Sequence, residues 1–339
     1  MLRSASNAFT QMLAVGVSRM IGVEEYSKKQ LIFVFANENE KLSFKNDNIV
    51  VKSKDGEIKH QSTCWRISAL FIVGSFTITS GLIQRSHKFC FPIFLMKQSL
   101  KTYDVIGFKA EGNTLLRRKQ YSRERLPIAK HIVSNKIENQ AKTLQLQRYR
   151  GEEINYAISL LKDSSKKVFG ATSIQEVMGI EGSASRTYFK HQFNNCEWKG
   201  RYPRIKTDYI NATLDLGYSL LFNIMESLLY YFGFDLYVGN LHQEFYMRKS
   251  LVCDLVEPFR SLVDQRIRTA ISNKQCRPED FQVDNQRFVL GWDQSKAYIL
   301  FLLEPLLKHK EEMFKFVRDY YRAFAQGKET DLFPVFKLA

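Results

Sequence analysis

The chain has 339 residues, of which 45% are hydrophobic and 25% are charged, a composition typical of a globular protein and not of a disordered or membrane-embedded one. Its 50 Lys and Arg residues outnumber its 35 Asp and Glu residues, which gives a formal net charge of +15. That charge favours a polyanionic partner, most commonly nucleic acid, over the alternative of a merely basic globular protein.

The cysteines and the most apolar segment indicate where such a protein would reside. The five cysteines lie far apart and form no CxxC pair, which argues against a zinc ribbon and a disulfide framework. We therefore expect a reduced, cytoplasmic protein. The apolar segment at residues 209–234 is interrupted by Asn211, Asp215, Asn223 and Glu226, which indicates a buried core helix and no membrane span.

The N-terminal third is predicted to contain an extension followed by strands. Residues 1–22 include Arg and Ser and no acid, and we predict a disordered or loosely helical extension with no assigned role. Residues 23–110 are predicted to form a small β-sandwich domain, because short β-branched and aromatic runs alternate with Asn, Asp and Gly turn signals. These runs are LIFVFA, KLSFKN, NIVVKS, ALFIVGSFTITS and CFPIFLM. Alternating apolar and polar residues in the first three are typical of half-buried antiparallel strands.

Residues 111–339 are predicted to form a larger, all-helical domain, which makes the fold class α+β. Gly and Pro become sparse after Gly112, and apolar residues recur at spacings of three and four. Besides the stretch around KHIVSNKIENQAKTLQLQRY, the predicted helices are Glu152–Lys162, Ser183–Phe193, Asp208–Phe232, Ser250–Ser272 and Lys296–Ala325.

Positive charge is concentrated between Lys101 and Arg150, where twelve basic residues face only four acidic ones, a net charge of +8. An ordinary solvated helix face is one interpretation. We favour the other, a phosphate-contacting surface at the junction of the two predicted domains.

One histidine and three carboxylates have the chemistry of a divalent-metal site. His242 follows Gly239 and Asn240, Asp254 and Glu257 lie three residues apart on one predicted helix face, and Glu181 is expected where the Ser183 helix begins. Fifteen helical residues would separate His242 from Glu257 by about 22 Å, so the chain must fold back between them for both to bind one ion. Mixed nitrogen and oxygen ligation suits Mn²⁺ and tolerates Mg²⁺, and such a site can assist displacement at phosphorus.

Structural roles are the alternative interpretation of the same residues. The histidine could be a satisfied core residue, and Asp254 and Glu257 could form salt bridges with Arg248 or Arg260. The chain contains no GxxxxGK[ST], GxGxxG or GxSxG motif, so the sequence does not support nucleotide hydrolysis or serine-hydrolase chemistry.

From about Lys29 to Phe324 the chain resembles the CRISPR-associated integrase-nuclease family, the catalytic subunit of the spacer-acquisition complex. The resemblance depends on ordered motifs: LSFKNDNIVV, ALFIVGSFTITSGLI, GNTLLRRKQY, KIENQ, GIEGSASRTYF, DYINATLDLGYSLL, VGNLH and SLVCDLVEPFR. The chain departs from the family pattern where Asp208-Tyr209 replaces an Asp-Pro step and where Ser261 replaces a proline.

The resemblance implies specific roles for individual residues. It implies that Glu181, His242 and Glu257 are metal ligands for Mg²⁺ or Mn²⁺, with Asp254 supporting them or serving as an alternate ligand. It further implies residues that shape the site or contact DNA: Arg117, Arg118, Lys119, Gln120, Tyr188, Asn211, Tyr218 and Arg260.

The resemblance also implies an activity and partners. The expected reaction is insertion of short DNA fragments into a CRISPR array, with each 3′-hydroxyl attacking a phosphodiester at a repeat end. Expected partners are double-stranded DNA, a second copy of the chain bound through the β domain, and a small ferredoxin-like adaptation subunit. Two alternatives are a structure-selective nuclease that acts on branched DNA outside adaptation, and a non-catalytic DNA-binding scaffold. The intact Glu181, His242 and Glu257 set argues against the scaffold.

Overall fold

The computed structural model covers most of the chain. It describes residues 21–35, 41–53, 55–148, 150–194, 196 and 198–339. Residues 1–20 of the predicted extension lie outside the described residues, and Val23–Ser27, just after the extension, forms a short helix, α1. No helix in the described ranges is long and apolar enough to cross a membrane.

The predicted order of a β-rich part followed by a mainly helical part is confirmed. The first part contains two sheets, a four-stranded sheet in the order β1-β5-β6-β7 and a three-stranded sheet in the order β2-β3-β4. Their strands are β1 Gln30–Phe35, β2 Lys41–Lys45, β3 Asn48–Lys52, β4 Ile58–Thr63, β5 Ile67–Val73, β6 Pro92–Met96 and β7 Thr102–Gly107.

The larger sheet is buried on both faces. Every residue of β5 is buried: Leu70 and Ile72 pack toward the smaller sheet, and Phe71 and Val73 pack toward the helices. Strands β1, β5 and β6 are parallel. The sequence of a parallel strand that is covered on both faces is a nearly continuous run of apolar residues. The expectation that the first strand is antiparallel was therefore wrong for β1.

The second half of ALFIVGSFTITS is not a strand. Strand β5 ends at Val73, and helix α2, Ser80–Phe89, begins six residues after Gly74. Leu82, Ser86 and Phe89 form the buried face of α2, at the spacing of three and four residues that an amphipathic helix requires.

The helical part contains α3 to α11 in chain order, and Lys296–Ala325 is two helices that meet at His309. The helices are α3 Thr114–Ser122, α4 Arg125–Gln145, α5 Glu152–Lys167, α6 Ile174–Gln192, α7 Tyr209–Leu229, α8 Ser250–Val256, α9 Arg260–Ser272, α10 Trp292–Lys308 and α11 Lys310–Gln326. A turn of 3₁₀ helix, Glu257–Phe259, joins α8 to α9.

This part is not purely helical, which corrects the prediction of an all-helical domain. Strands β8, Phe281–Asp284, and β9, Arg287–Leu290, form an antiparallel hairpin between α9 and α10. Asn285 and Gln286 at its tip have φ values of 46° and 61°, the left-handed conformation that two-residue hairpin turns require.

One hydrophobic core connects the two parts. Phe71 and Phe94 of the larger sheet belong to the same buried cluster as Leu228 and Phe314 of the helices. Tyr26 of α1 stacks on Phe314 with ring centroids 4.1 Å apart. Burial of apolar side chains in this core is the main contribution to the stability of the fold, at about 25 cal/mol per Å² of apolar surface removed from water.

Candidate metal and nucleic-acid site

The chain folds back between His242 and Glu257, as the spacing argument required. Residues 230–249 form a loop between α7 and α8, and Asp254 of α8 is fully buried against this loop. Its carboxylate accepts hydrogen bonds from the backbone amides of Asn240, of Leu241 at 3.0 Å and of His242 at 3.0 Å. The loop therefore wraps around one buried charge.

The same carboxylate orients the imidazole of His242, whose Nδ1 lies 2.7 Å from Oδ1 of Asp254. A carboxylate only accepts hydrogen bonds, so Nδ1 carries a proton, and in the neutral imidazole Nε2 keeps its lone pair. A histidine held in this way by a carboxylate is the usual arrangement of a metal-binding histidine.

Gly239 is required by the close packing of this loop. A Cβ atom there would lie 2.7 Å from Oδ2 of Asp254 and 2.8 Å from the backbone carbon of Ser250. Such distances are shorter than van der Waals contact, so any larger residue would push the loop away from Asp254.

Two side chains from the basic stretch fix the loop from the other side. The amide of Gln120 donates to the carbonyl oxygens of Asp235 and Val238, and its oxygen accepts from the amide of Asp235. Arg125 donates to the carbonyl oxygens of Asn240 and His242. Arg125, one of the basic residues between Lys101 and Arg150, therefore has a structural role.

Glu181 lies in the middle of α6 and not at a helix entry, because α6 begins at Ile174. The hydroxyl of Ser173 accepts a hydrogen bond from the amide of Glu176, which caps the helix ten residues before the predicted start at Ser183. The motif Ser173-Ile174-Gln175-Glu176 is the sequence signature of such a cap, and it was overlooked.

Three elements bring Glu181, Lys136 and Glu257 together. Lys136 of α4 forms ion pairs with Glu181 of α6 and, at 2.7 Å, with Oε2 of Glu257 in the 3₁₀ turn. Arg260 at the start of α9 lies 3.0 Å from the same oxygen of Glu257. The two carboxylates thus converge on a single ammonium group, and the role of Lys136 was missed from the sequence.

Electrostatics keep this cluster charged despite its burial. Burial alone would raise the pKa of the Glu257 carboxyl, but Arg260 and Lys136 outweigh that effect and lower it to about 2. Burial likewise favours the neutral form of Lys136, whereas Glu257 and Glu181 raise its pKa above the ordinary lysine value. Both partners are therefore ionised at neutral pH.

The C-terminal tail, residues 333–339, fastens the elements that carry Lys136 and Glu257. Asn139 of α4 donates to the carbonyl oxygens of Pro258 and Phe336, and accepts from the amide of Leu338. Phe336 stacks on Phe259 with centroids 4.3 Å apart. The Asn of the KIENQ motif thus joins α4, the 3₁₀ turn and the tail.

Arg260 is held by a second polar cluster. Its guanidinium lies over the ring of Tyr218, 4.4 Å from the centroid, and the hydroxyls of Tyr218 and Tyr188 donate to Asp264. Burial raises the pKa of the Asp264 carboxyl to about 6. Tyr218 therefore positions Arg260 beside Glu257.

The charge cluster opens onto one large cleft of about 1190 Å³, which Lys136 and Arg260 help to line. Glu181, His242 and Glu257 line it, and basic side chains of the neighbouring loops complete its wall. These are Arg201, Arg204, Lys206, Arg248 and Lys249. A positively charged cleft of this size can accept a nucleic-acid backbone.

The other side chains expected to contact DNA divide into two groups. Arg118 is exposed on α3, whereas Arg117 and Lys119 on the same helix donate to the carbonyl oxygens of Gly233 and Ala325. The side chains of Gln120, Tyr188 and Asn211 are buried and hydrogen-bonded inside the protein. These three side chains position protein elements, and a contact between any of them and DNA stays a prediction.

In the described part of the chain, no three His, Cys, Asp or Glu side chains already form a metal-ligand cluster. The reason is visible in the geometry, since the Lys136 ammonium lies between the two glutamates and Asp254 is engaged by the loop. The donor set nevertheless suits a divalent cation, because two carboxylates already meet at one positive charge and the imidazole of His242 lines the same cleft.

Comparison with known proteins places the chain in a family. The family model described as CRISPR associated protein Cas1 matches residues 33–302. The chain belongs to the Cas1 family. A CRISPR-associated endonuclease Cas1 of Methanospirillum hungatei is 31% identical over 202 residues, which are 56% of this chain and 61% of that protein. A second, of Leptospira interrogans, is 32% identical over 207 residues, 56% of this chain and 79% of that protein.

Solved structures show the same Cas1 fold. A Cas1 protein from Thermotoga maritima has a TM-score of 0.74 at 18% identity and covers 88% of this chain and 98% of its own. A casposase bound to integration product has a TM-score of 0.72 at 19% identity, with 91% and 94% covered. A Cas6-RT-Cas1–Cas2 complex has a TM-score of 0.75 at 23% identity, with 91% of this chain and 36% of that chain covered.

Proposed function

We propose that this chain is a divalent-metal-dependent DNA integrase that inserts short DNA fragments into a CRISPR array. One observation carries the proposal: two glutamates from distant elements converge on one positive charge in a basic cleft that also contains His242. Membership of the Cas1 family, whose curated members cited above are named endonucleases, supports the same reaction class.

Glu181, Glu257 and Nε2 of His242 are the proposed ligands for Mg²⁺ or Mn²⁺. Asp254 is the less suitable third ligand, because loop amides and the imidazole already occupy its oxygens. We assign Asp254 the task of holding His242 in the tautomer that can bind metal. When bound, the ion would supply positive charge beside the phosphodiester that is attacked.

The residues of the chain itself position the DNA and balance its charge. The basic wall of the cleft, including Arg204 and Lys206, would hold the target backbone, and Arg118 would contact it outside the cleft. The 3′-hydroxyl of the fragment then attacks the target phosphorus, one P–O bond forms as another breaks, and a new 3′-hydroxyl leaves. Because the number of phosphodiesters is conserved, the protein needs only to position groups and stabilise charge.

A joining assay tests this proposal. Purified protein, a short duplex with free 3′-hydroxyls and a plasmid bearing CRISPR repeats are incubated with Mn²⁺, and joined product is quantified. Glu181→Gln, His242→Ala and Glu257→Gln should each lower joining by more than about a hundredfold. The matched control is Glu138→Gln, which changes an exposed glutamate on α4. Joining within about threefold of the unaltered chain in all three variants would refute the assigned site.

Two additions to this experiment, a branched DNA substrate and DNA binding measured with and without a chelator, separate the alternatives. Cleavage of branched DNA without joining at repeats would indicate a structure-selective nuclease. DNA binding that is sensitive to salt, insensitive to chelator and unaccompanied by turnover would indicate a scaffold.

We further propose a homodimer that binds double-stranded DNA and a small adaptation subunit in the cytoplasm. The exposed Ile58 and Trp65, 58% and 69% accessible and at either end of β4, are suited to contact a second copy through the β-rich part. The similar fold within a Cas6-RT-Cas1–Cas2 complex supports a small partner. Multi-angle light scattering of the pure chain, with Trp65→Lys as the disrupting variant, tests the dimer; a monomer in the unaltered chain would contradict it.

A further inference from the structure

The ammonium of Lys136 occupies the point where the two proposed metal-binding glutamates meet. We propose that Lys136 is a built-in counter-ion which the divalent cation must displace, and that the displaced ammonium then binds a phosphate of the DNA. Metal and DNA would therefore bind cooperatively through one side chain. This inference rests on the proposed function, because it presupposes that Glu181 and Glu257 bind metal.

The charges in the cluster make displacement necessary. Glu181 and Glu257 are balanced by Lys136 and Arg260, both within ion-pair distance of Glu257. A divalent cation that binds the same carboxylate oxygens would lie within about 4 Å of the Lys136 ammonium, a separation at which like charges repel strongly in a partly buried site. Arg260 is retained by the ring of Tyr218, so Lys136 is the cation that can move.

The displaced ammonium needs a new anion. Lys136 is only 9% exposed, and a buried ammonium without a partner is costly. A lysine side chain has a flexible four-carbon stem that can turn from the glutamates toward the cleft that it lines. The group that would arrive there with a negative charge is the phosphodiester of the substrate.

Thermodynamic linkage converts this exchange into a measurable coupling. Without DNA, displacing Lys136 from the glutamates opposes metal binding, so the affinity for metal is lower than it is with DNA bound. With DNA bound, the ammonium has a phosphate partner and the metal binds more tightly. Linkage requires that metal tighten DNA binding by the same factor. We expect about tenfold, within the range of roughly 5- to 150-fold that is typical of coupled sites.

Mn²⁺ binding to the full chain tests the proposal without any turnover. Free Mn²⁺ is followed by electron paramagnetic resonance, with and without a short duplex whose 3′ ends are dideoxy-terminated so that joining cannot occur. The variants are Lys136→Met, which keeps the length and removes the charge, and Lys136→Arg, which keeps the charge. The matched control is Lys162→Met on the exposed face of α5.

In the absence of DNA, Lys136→Met should bind Mn²⁺ about tenfold more tightly than the unaltered chain, and adding the duplex should no longer increase its affinity. Lys136→Arg and Lys162→Met should keep both the lower affinity and the coupling. If Lys136→Met folds only with metal, circular dichroism should show Mn²⁺-induced folding at concentrations below the dissociation constant of the unaltered chain.

Two results overturn different claims. Equal or weaker Mn²⁺ binding by Lys136→Met, with coupling to DNA retained, would refute the counter-ion role and leave the proposed function standing. Absence of Mn²⁺ binding by the unaltered chain, with and without the duplex, would refute the proposed function itself.

Discussion

Asp254→Asn is the perturbation whose cost follows most directly from the structure. One oxygen of the buried carboxylate accepts from the amides of Asn240 and Leu241, and the other accepts from the amide and the ring of His242. Replacing either oxygen with an NH₂ group places that hydrogen-bond donor against the N–H donors of the loop, and it also removes the negative charge of the carboxylate. Hydrogen bonds to charged groups contribute about 1.5–3 kcal/mol each, so the variant should lose about 3–5 kcal/mol of unfolding free energy.

The effect on metal binding should be separate from the effect on stability. An asparagine that donates to Nδ1 of His242 would fix the tautomer that protonates Nε2, the nitrogen proposed to bind metal. Loss of such a supporting carboxylate weakens metal binding by about 10- to 100-fold, and we expect that range for Mn²⁺ measured by isothermal titration calorimetry. Urea denaturation gives the unfolding free energy on the same samples.

Asp235→Asn is the matched control for this change. Asp235 lies in the same loop, but its carboxylate accepts from Tyr121, which is exposed, and from the amide of Tyr237. It should cost less than about 1 kcal/mol and leave Mn²⁺ affinity unchanged. If Asp254→Asn is as stable as its control and binds Mn²⁺ equally well, the assignment of Asp254 as the support of His242 is wrong.

Three further predictions address the loop, the tail and the charge cluster. Gly239→Ala should lower Mn²⁺ affinity by about tenfold or more, because its Cβ would displace Asp254, whereas Gly179→Ala on α6, where a Cβ meets nothing within 4 Å, should not. Removal of residues 333–339 should lower the unfolding free energy, measured by urea denaturation, by about 3 kcal/mol or more. The truncated chain loses the stacking of Phe336 on Phe259 and leaves the Asn139 side chain without two of its hydrogen bonds. A decrease below about 1 kcal/mol would show that the tail does not fasten these elements.

The charge cluster predicts an acid-sensitive stability. The folded-state pKa of Glu257, about 2, lies below its unfolded value of about 4.3, so its contribution is present above about pH 4.3 and is lost as pH falls toward 2. Between pH 5 and pH 3 the unaltered chain should lose ~2 kcal/mol more than Glu257→Gln in urea denaturation. Equal losses would show that the Glu257 carboxyl is not held in its charged form by Arg260 and Lys136.

Local sequence patterns predicted the order of elements and the fold-back at Gly239, because these depend on residues close together in the chain. The apolar run of β5 predicted a buried strand, but its parallel pairing with β1 depends on a partner more than thirty residues away. The ten-residue hairpin at 281–290 is too short to give a periodic signal within helical sequence.

In the candidate site, too, residues close together in sequence could be related to one another, whereas contacts between distant residues could not be predicted. His242, Asp254 and Glu257 lie within sixteen residues and could be related by helix geometry alone. Lys136 was counted only as one charge of a basic stretch, since its contacts with Glu181 and Glu257 join residues 45 and 121 positions apart. The internal hydrogen bonds of Gln120 and Asn211 could not be predicted, because their partners are backbone carbonyl groups that only the folded chain brings within reach.

We propose that Glu181, His242 and Glu257 bind one divalent cation while Asp254 supports His242. Anomalous X-ray scattering from crystals grown with Mn²⁺ and the dideoxy-terminated duplex tests it most directly. We expect one Mn²⁺ peak about 2.0–2.3 Å from a carboxylate oxygen of Glu181, Nε2 of His242 and a carboxylate oxygen of Glu257. A Mn²⁺ ion bound by Asp254, or the absence of a peak between the two glutamates at saturating Mn²⁺, would contradict it.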